Sequence, residues 1–362
     1  MKTSRLALIA AFAAMLSACS NATQSFQPSE SAVNASVATV RSIDSWRLAL
    51  AQNQLPSPGC FKAAYPSTQW DRVDCIAPRS HWHSLPSSVG GKLAQTVGRG
   101  VDFTADTAPN VISRAIGAFP KVEGVKRVRS AGCCGVEGRD SYTLQLNSNF
   151  FPTSTCGSIP YCGGWEQFVF ENPSHGRQGY LFIEDWLVPM PIGRGSLSGC
   201  PPNKGWIYVG IGCYQNSQAI RTPNVSIKDL SQVIETGKAS AGGDSIYLSV
   251  GRTEYGVRKI QDDGIVDLAA NWEGAEFNVF GDGGGDVADF NSGSEITVSL
   301  QTDIGSKTKP TCLPNSGTTG ETNNLFFVTA PKHAPELRYP SIEFTMSSSA
   351  TGDASCDAVK GH

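Results

Sequence analysis

The sequence predicts an all-β fold, a sandwich or barrel of about eleven short strands, and three observations carry that expectation. Thirty-eight glycines and twenty-one prolines are spread along 362 residues, supplying tight turns. Between them, Thr, Val and Phe recur in short runs of alternating polarity, the period of a half-buried strand. No fixed-period repeat is present, which sets aside propellers and solenoids. Charged residues make up 17% and the formal net charge is −3, so nothing in the composition marks a nucleic-acid partner or an anionic-lipid surface.

Taken in order, the chain opens on a basic start, Lys2 and Arg5, and an apolar stretch over 6–16 that is too short to span a bilayer. Leu16-Ser17-Ala18-Cys19 follows, and resembles the lipobox of bacterial lipoproteins. That resemblance implies a signal peptide over 1–18, acylation of Cys19 as the first mature residue, and a Ser-, Asn- and Gln-rich tether over 19–39. Ser20 stands where lipoproteins kept at the inner membrane often carry Asp, so the resemblance points to the outer membrane of the cell envelope, with contact to the membrane through the lipid only.

Residues 40–88 read as a short helix followed by a clipped appendage. Val40, Ile43, Trp46 and Leu50 have helical spacing over 40–53, and Pro56 closes it. The proline-bounded segment 58–86 holds Phe61, Tyr65, Trp70 and Trp82 and is too small to make its own core without a disulfide or a neighbour. His81 and His83 would share a strand face, but no third ligand is near in sequence, so a surface pair is expected rather than a metal site.

Residues 89–362 read as one β-sandwich domain. Strands are expected at 110–119, 141–150, 164–171, 179–188, 206–214, 245–250, 256–260, 275–280, 295–300, 324–328 and 341–346. Segments 227–236 and 264–271 read as short helical or turn insertions. Eleven cysteines less Cys19 leave ten, an even number that suits disulfides in an oxidising compartment. Spacing suggests Cys60 with Cys75, Cys156 with Cys162, Cys200 with Cys213, and Cys312 with Cys356; the adjacent Cys133 and Cys134 fit no easy bond. A zinc site is disfavoured by the lack of any C-x-x-C pair.

Side chains alternate across a strand, so each strand sorts into two faces. On 179–188 one face carries Tyr180, Phe182, Glu184 and Trp186, and the other Leu181, Ile183, Asp185 and Leu187. Trp165, Gln167 and Val169 share a side of 164–171; Glu276, Asn278 and Phe280 share a side of 275–280. Faces that mix aromatics with Glu, Gln and Asn are either a binding cleft or a solvent-facing side with incidental aromatics. There is no G-x-S-x-G elbow, H-E-x-x-H or P-loop, which argues against serine and zinc hydrolases. Asp282-Gly-Gly-Gly-Asp286, with Asp289 beyond, reads as a glycine turn with solvated carboxylates in preference to a calcium loop.

One stretch is more specific. Trp272-Glu-Gly-Ala-Glu276-Phe-Asn-Val, followed by Val287-Ala-Asp-Phe290 and Ile296-Thr-Val-Ser, resembles the segment that carries the catalytic glutamate of the eqolisins, the glutamic peptidases. Val111 to Pro120 is similar to that family's early V-x-A-x-x-x-P strand. Gln167 followed by Phe182-Ile-Glu-Asp-Trp186 is similar to its catalytic glutamine and the aromatic-acidic strand after it. The likeness spans roughly 98–300. Phe280-Gly281-Asp282 departs from the family's Glu-Asp pair, and Phe168-Val169 from its Thr-Gly, while Gln145 on the preceding strand is an alternative glutamine.

The resemblance implies a concanavalin-like double β-sandwich with a peptide or protein substrate lying across one sheet. Glu276 would be the general base, Gln167 the oxyanion donor, and Trp165, Tyr180, Phe182, Glu184, Trp186 and Asn278 would line the substrate, with activity greatest in acid. It implies neither a metal nor an organic cofactor. Two readings of other classes accompany it: a non-catalytic sandwich that binds glycan, peptide or an envelope partner through the same face, and a structural surface lipoprotein.

Overall fold

In the computed structural model the described residues are 42–79, 102–132, 138–174, 177–192, 195–202, 205–259, 265–283, 285–314, 317–334 and 337–350. The expected signal peptide, Cys19 and tether, the His81 and His83 pair, Cys133, Cys134 and Cys356 all lie outside them.

The strands, in chain order, are β1 (Gly59–Ala64), β2 (Asp71–Val73), β3 (Phe103–Asp106), β4 (Arg114–Glu123), β5 (Ser130–Ala131), β6 (Tyr142–Ser148) and β7 (Cys162–Asn172). They continue with β8 (Gly179–Pro189), β9 (Ile207–Tyr208), β10 (Cys213–Asn216), β11 (Ile220–Thr222), β12 (Val233–Lys238), β13 (Ser245–Val250) and β14 (Thr253–Arg258). The last are β15 (Gly274–Phe280), β16 (Val287–Ala288), β17 (Glu295–Asp303), β18 (Thr311–Pro314), β19 (Thr322–Asn323), β20 (Phe326–Lys332) and β21 (Ser341–Ser347). They form two nine-stranded sheets and a small three-stranded one, β19-β16-β5. The first runs β2-β1-β14-β13-β12-β4-β17-β21-β20; the second runs β18-β3-β15-β6-β7-β8-β10-β9, with β11 also on β8. Every pairing in both sheets is antiparallel, and the fold is the all-β sandwich that the alternating runs predict.

The core forms where the apolar faces meet. Leu144, Leu146, Phe168, Phe170, Ala275, Phe277 and Val279 of the second sheet belong to one buried cluster with Ala115, Phe119, Ile246, Leu248, Val298 and Leu300 of the first. Each large side chain so buried contributes roughly 1.5–3 kcal/mol relative to exposure. Two glycines allow the close approach: a Cβ on Gly117 would stand 2.3 Å from the Phe277 ring, and one on Gly237 would stand 2.6 Å from Phe168. A polar cluster also lies between the sheets: Lys259 Nζ is 2.6 Å from Glu166, 2.7 Å from Asp185 and 3.1 Å from Asp244, all buried.

Helix α1 (Ile43–Gln52) stands where apolar spacing places it, capped by Ser42, whose hydroxyl accepts from Ser45 N at 3.1 Å, and burying Trp46 and Leu50. The clipped segment after it joins the first sheet: β1 pairs with β14 over six residues, and the Cys60–Cys75 disulfide closes the β1–β2 hairpin. Cys156–Cys162 and Cys200–Cys213 are also bonded as spacing suggests, and Cys312 is in a disulfide.

Two expectations need correction. The helical or turn reading of 227–236 holds only for a 3-10 turn at Ile227–Gln232; Val233–Lys238 is the central strand β12. Its inward face is Val233, Glu235 and Gly237, and a buried glutamate and a glycine hide the alternation that would reveal a strand. Segment 206–214 is a hairpin of β9 and β10 instead of one strand.

Candidate functional site

The outward face of the second sheet carries a row of polar side chains, one per strand. Thr104 on β3 pairs with Glu276 on β15, Glu276 with Asn147 on β6, Asn147 with Gln167 on β7, Gln167 with Glu184 on β8, and Glu184 with Asn216 on β10. Because side chains alternate, the same strands send Phe277, Leu146, Phe168 and Ile183 into the core, and this apolar half fixes the register that aligns the polar half.

Hydrogen bonds join the row. Asn147 Nδ2 donates to Glu276 Oε2 at 3.1 Å, and its Oδ1 accepts from Gln167 Nε2 at 3.1 Å. Gln167 Nε2 also donates to Gln145 Oε1 at 3.0 Å, and Trp186 Nε1 donates to Gln167 Oε1 at 3.2 Å and Glu184 Oε1 at 2.7 Å. Thr318, from the connection between β18 and β19, closes over Glu276: its N–H donates to Oε2 at 2.7 Å and its hydroxyl at 3.2 Å, while Trp165 Nε1 donates to the hydroxyl oxygen at 3.0 Å. Glu276 is 1% exposed and Gln167 0%. Burial raises the Glu276 carboxyl above its ordinary range, and the donors from Thr318 and Asn147 work against that rise.

Of the residues singled out from sequence, Glu276, Gln167, Glu184, Trp165, Trp186 and Asn278 come to one face. Trp165 and Trp186 stack obliquely, centroids 6.0 Å apart, with Tyr214 5.5 Å beyond Trp186. Phe182 instead packs with Val169 and Ala219, and Tyr180 and Ile76 border that cluster, toward the opposite end of β8. Gln145, the alternative glutamine, is in the same network one register step away, opposite Asn278. Face-sorting identified the face but missed Asn147, Thr318 and Asp102, since an Asn in a short strand, a loop Thr and an Asp before a strand carry no motif.

Beside Glu276 a cavity of about 410 Å³ opens, with Thr104, Phe150, Leu313 and Thr318 in its walls and Asp106 and Glu273 among its lining residues. Among the described residues no group of His, Cys, Asp or Glu is arranged to hold a metal ion. The Asp282 to Asp286 turn differs from expectation in that both carboxylates are buried: Asp286 accepts from Ser130 Oγ at 2.8 Å, and Asp282 lies 3.8 Å from the Arg79 guanidinium that also pairs with Glu171. Short loop strands cover them, β16 lying between β5 and β19, which the sequence of a glycine turn does not disclose. No protein-family model and no curated protein sequence matches this chain.

Proposed function

We propose that this chain is a secreted, lipid-anchored, glutamic-peptidase-like protein that hydrolyses peptide bonds in acid. The observation that carries the reading is the hydrogen-bonded row from Glu276 through Asn147 to Gln167 on one sheet face, beside a cavity. Glu276 takes a proton from water as its oxygen attacks the scissile carbonyl carbon. The oxyanion that forms accepts from a side-chain amide, and the proton on Glu276 passes to the leaving nitrogen as the C–N bond breaks. Both Gln167 N–H groups are engaged with Gln145 and Asn147, so a substrate carbonyl must displace one of them, and Thr318 must yield its place on Glu276. The cavity walled by Phe150 and Leu313 is the approach.

Cleavage of a denatured protein from pH 3 to 7 tests this, with Glu276→Gln and Gln167→Ala beside the wild type. Loss of acid activity in both variants supports the reading, and activity that survives in both moves the site elsewhere. A specific observation favours a second reading, a non-catalytic module for a peptide, glycan or envelope partner: the two side chains are buried under Thr318 and the tryptophans. A folded wild type that cleaves nothing across that range, yet retains a ligand equally well with Glu276→Gln, would select it.

The anchor is part of the same proposal. Disulfides at Cys60–Cys75, Cys156–Cys162 and Cys200–Cys213 suit an exported chain. Mass spectrometry of the mature N-terminus should find acylated Cys19, and Cys19→Ser should release the protein from membranes.

A further inference from the structure

Glu276 is bound on one side only. Its Oε2 accepts from Thr318 N, Thr318 Oγ1 and Asn147 Nδ2, while Oε1 is buried with no such donor. The same asymmetry is found in Asp102, the residue before β3. Its register, continued from Thr104 opposite Glu276, sets it opposite Asn278 on the same face. Asp102 Oδ1 accepts from Phe103 N at 2.9 Å and Asn278 Nδ2 at 3.3 Å, and its Oδ2 is buried without a donor. Strand pairing makes the two half-bonded carboxyls diagonal neighbours on one buried face, each with an unpartnered oxygen and each within the other's electrostatic reach. Two carboxylate oxygens are both acceptors, so a hydrogen bond between them requires a proton on one.

We infer that Asp102 is a positioning residue of the proposed peptidase site: it holds a proton that it donates to Glu276 Oε1, so that the pair carries one negative charge and Glu276 stays oriented as the base. The inference rests on the peptidase reading for what Glu276 does, but not for the shared proton. The proton resides on Asp102 because Glu276 has the closer N–H donors, Thr318 N at 2.7 Å and Asn147 Nδ2 at 3.1 Å against Phe103 N at 2.9 Å and Asn278 Nδ2 at 3.3 Å on Asp102, with the Thr318 hydroxyl, shared with the Ser148 carbonyl, beside Glu276 as well. Burial and the neighbouring Glu276 push the Asp102 carboxyl well above its ordinary range, in the same direction. Among the described residues, the titratable groups along the surrounding elements include Asp106 at the far end of β3, Glu273 before β15, Asp282 after it, and Glu321, which accepts from the Thr319 hydroxyl. On this face β6 supplies Asn147 and Gln145, which do not titrate.

The active form then has one proton on the pair. A second proton, on Glu276, ends activity in acid; loss of the Asp102 proton places two anions side by side and ends it at higher pH. Asp102→Asn keeps a donor to Glu276 but cannot lose it.

The test uses the full mature chain with two readouts. In the pH profile of kcat/KM, Asp102→Asn should keep the acid limb and lose the alkaline limb, or move it up by a pH unit or more. Asp102→Ala should cost about 10–100-fold, the loss of a hydrogen bond to a charged group. A profile unchanged in Asp102→Asn overturns the inference. If the wild type cleaves nothing, infrared difference titration decides the proton alone: a protonated-carboxyl C=O band near neutral pH should vanish in Asp102→Asn and shift in Glu276→Gln. Identical spectra for wild type and Asp102→Asn overturn it, whatever becomes of the peptidase reading.

Discussion

Asn147 Nδ2 lies 3.1 Å from Glu276 Oε2, and this bond gives the candidate site its polarity. An ionised Glu276 can only accept, so Asn147 must turn its amide nitrogen toward it and its oxygen toward Gln167, whose Nε2 then donates. One charge thus orients two amides, and the Trp186 N–H completes the chain from its far end.

Removing the link should therefore disturb both neighbours. Asn147→Ala leaves Glu276 and Gln167 each short of one buried partner, at a cost of about 1–3 kcal/mol in stability. Cleavage should fall about 10–100-fold while Glu276 and Gln167 are intact. Denaturant titration together with steady-state rates checks both, and an Asn147→Ala protein of undiminished rate would remove the bridge from the mechanism.

Stability should be greater in acid than at neutral pH. Glu254 is buried, accepts from the Ser249 hydroxyl, and is pushed by burial from 4.5 up to about 7. Its folded value exceeds its unfolded value, so its contribution is complete below about pH 4.5 and is lost as pH rises through about 7. The expected loss is about 3 kcal/mol. Glu235, buried on β12 and raised well above its ordinary value by desolvation, adds in the same direction. Urea midpoints at pH 4.5 and 8 should differ accordingly, and Glu254→Gln should remove much of the difference.

The Lys259 cluster should respond in the opposite way to its neighbours' size. Lys259→Met keeps the volume but strands Glu166, Asp185 and Asp244 between the sheets. At neutral pH this should destabilise the fold by about 3–5 kcal/mol. In acid Glu166 and Asp185, both raised above their ordinary range by burial, can take up protons and the cost should shrink, which thermal unfolding at neutral and acid pH would reveal.

Much of this was legible from residue order. Alternation in 179–188 separates Glu184 and Trp186 from Leu181 and Ile183, and the structure keeps that division. What escaped has physical reasons. Glu235 and Gly237 break the apolar pattern of β12 because one accommodates a buried carboxyl and the other the Phe168 ring. Phe103–Asp106 and Thr311–Pro314 are too short for periodicity to register, yet the first places Asp102 and flanks Glu276 and the second pairs along its outer edge. Thr318 reaches Glu276 across 42 residues, and no local signal encodes a loop contact at that distance. The burial of Asp282 and Asp286 likewise depends on distant strands.

If Glu276 is the base of a peptide hydrolase, kcat/KM on a quenched peptide library at the acid optimum must separate wild type from Glu276→Gln. Both proteins should give superimposable circular dichroism, since Gln replaces Glu at nearly constant volume. The variant should lose about 10²–10⁴-fold, the range a positioned general base supplies. A Glu276→Gln protein that cleaves within about threefold of wild type would contradict it, because a base worth that little supplies under 1 kcal/mol of the barrier.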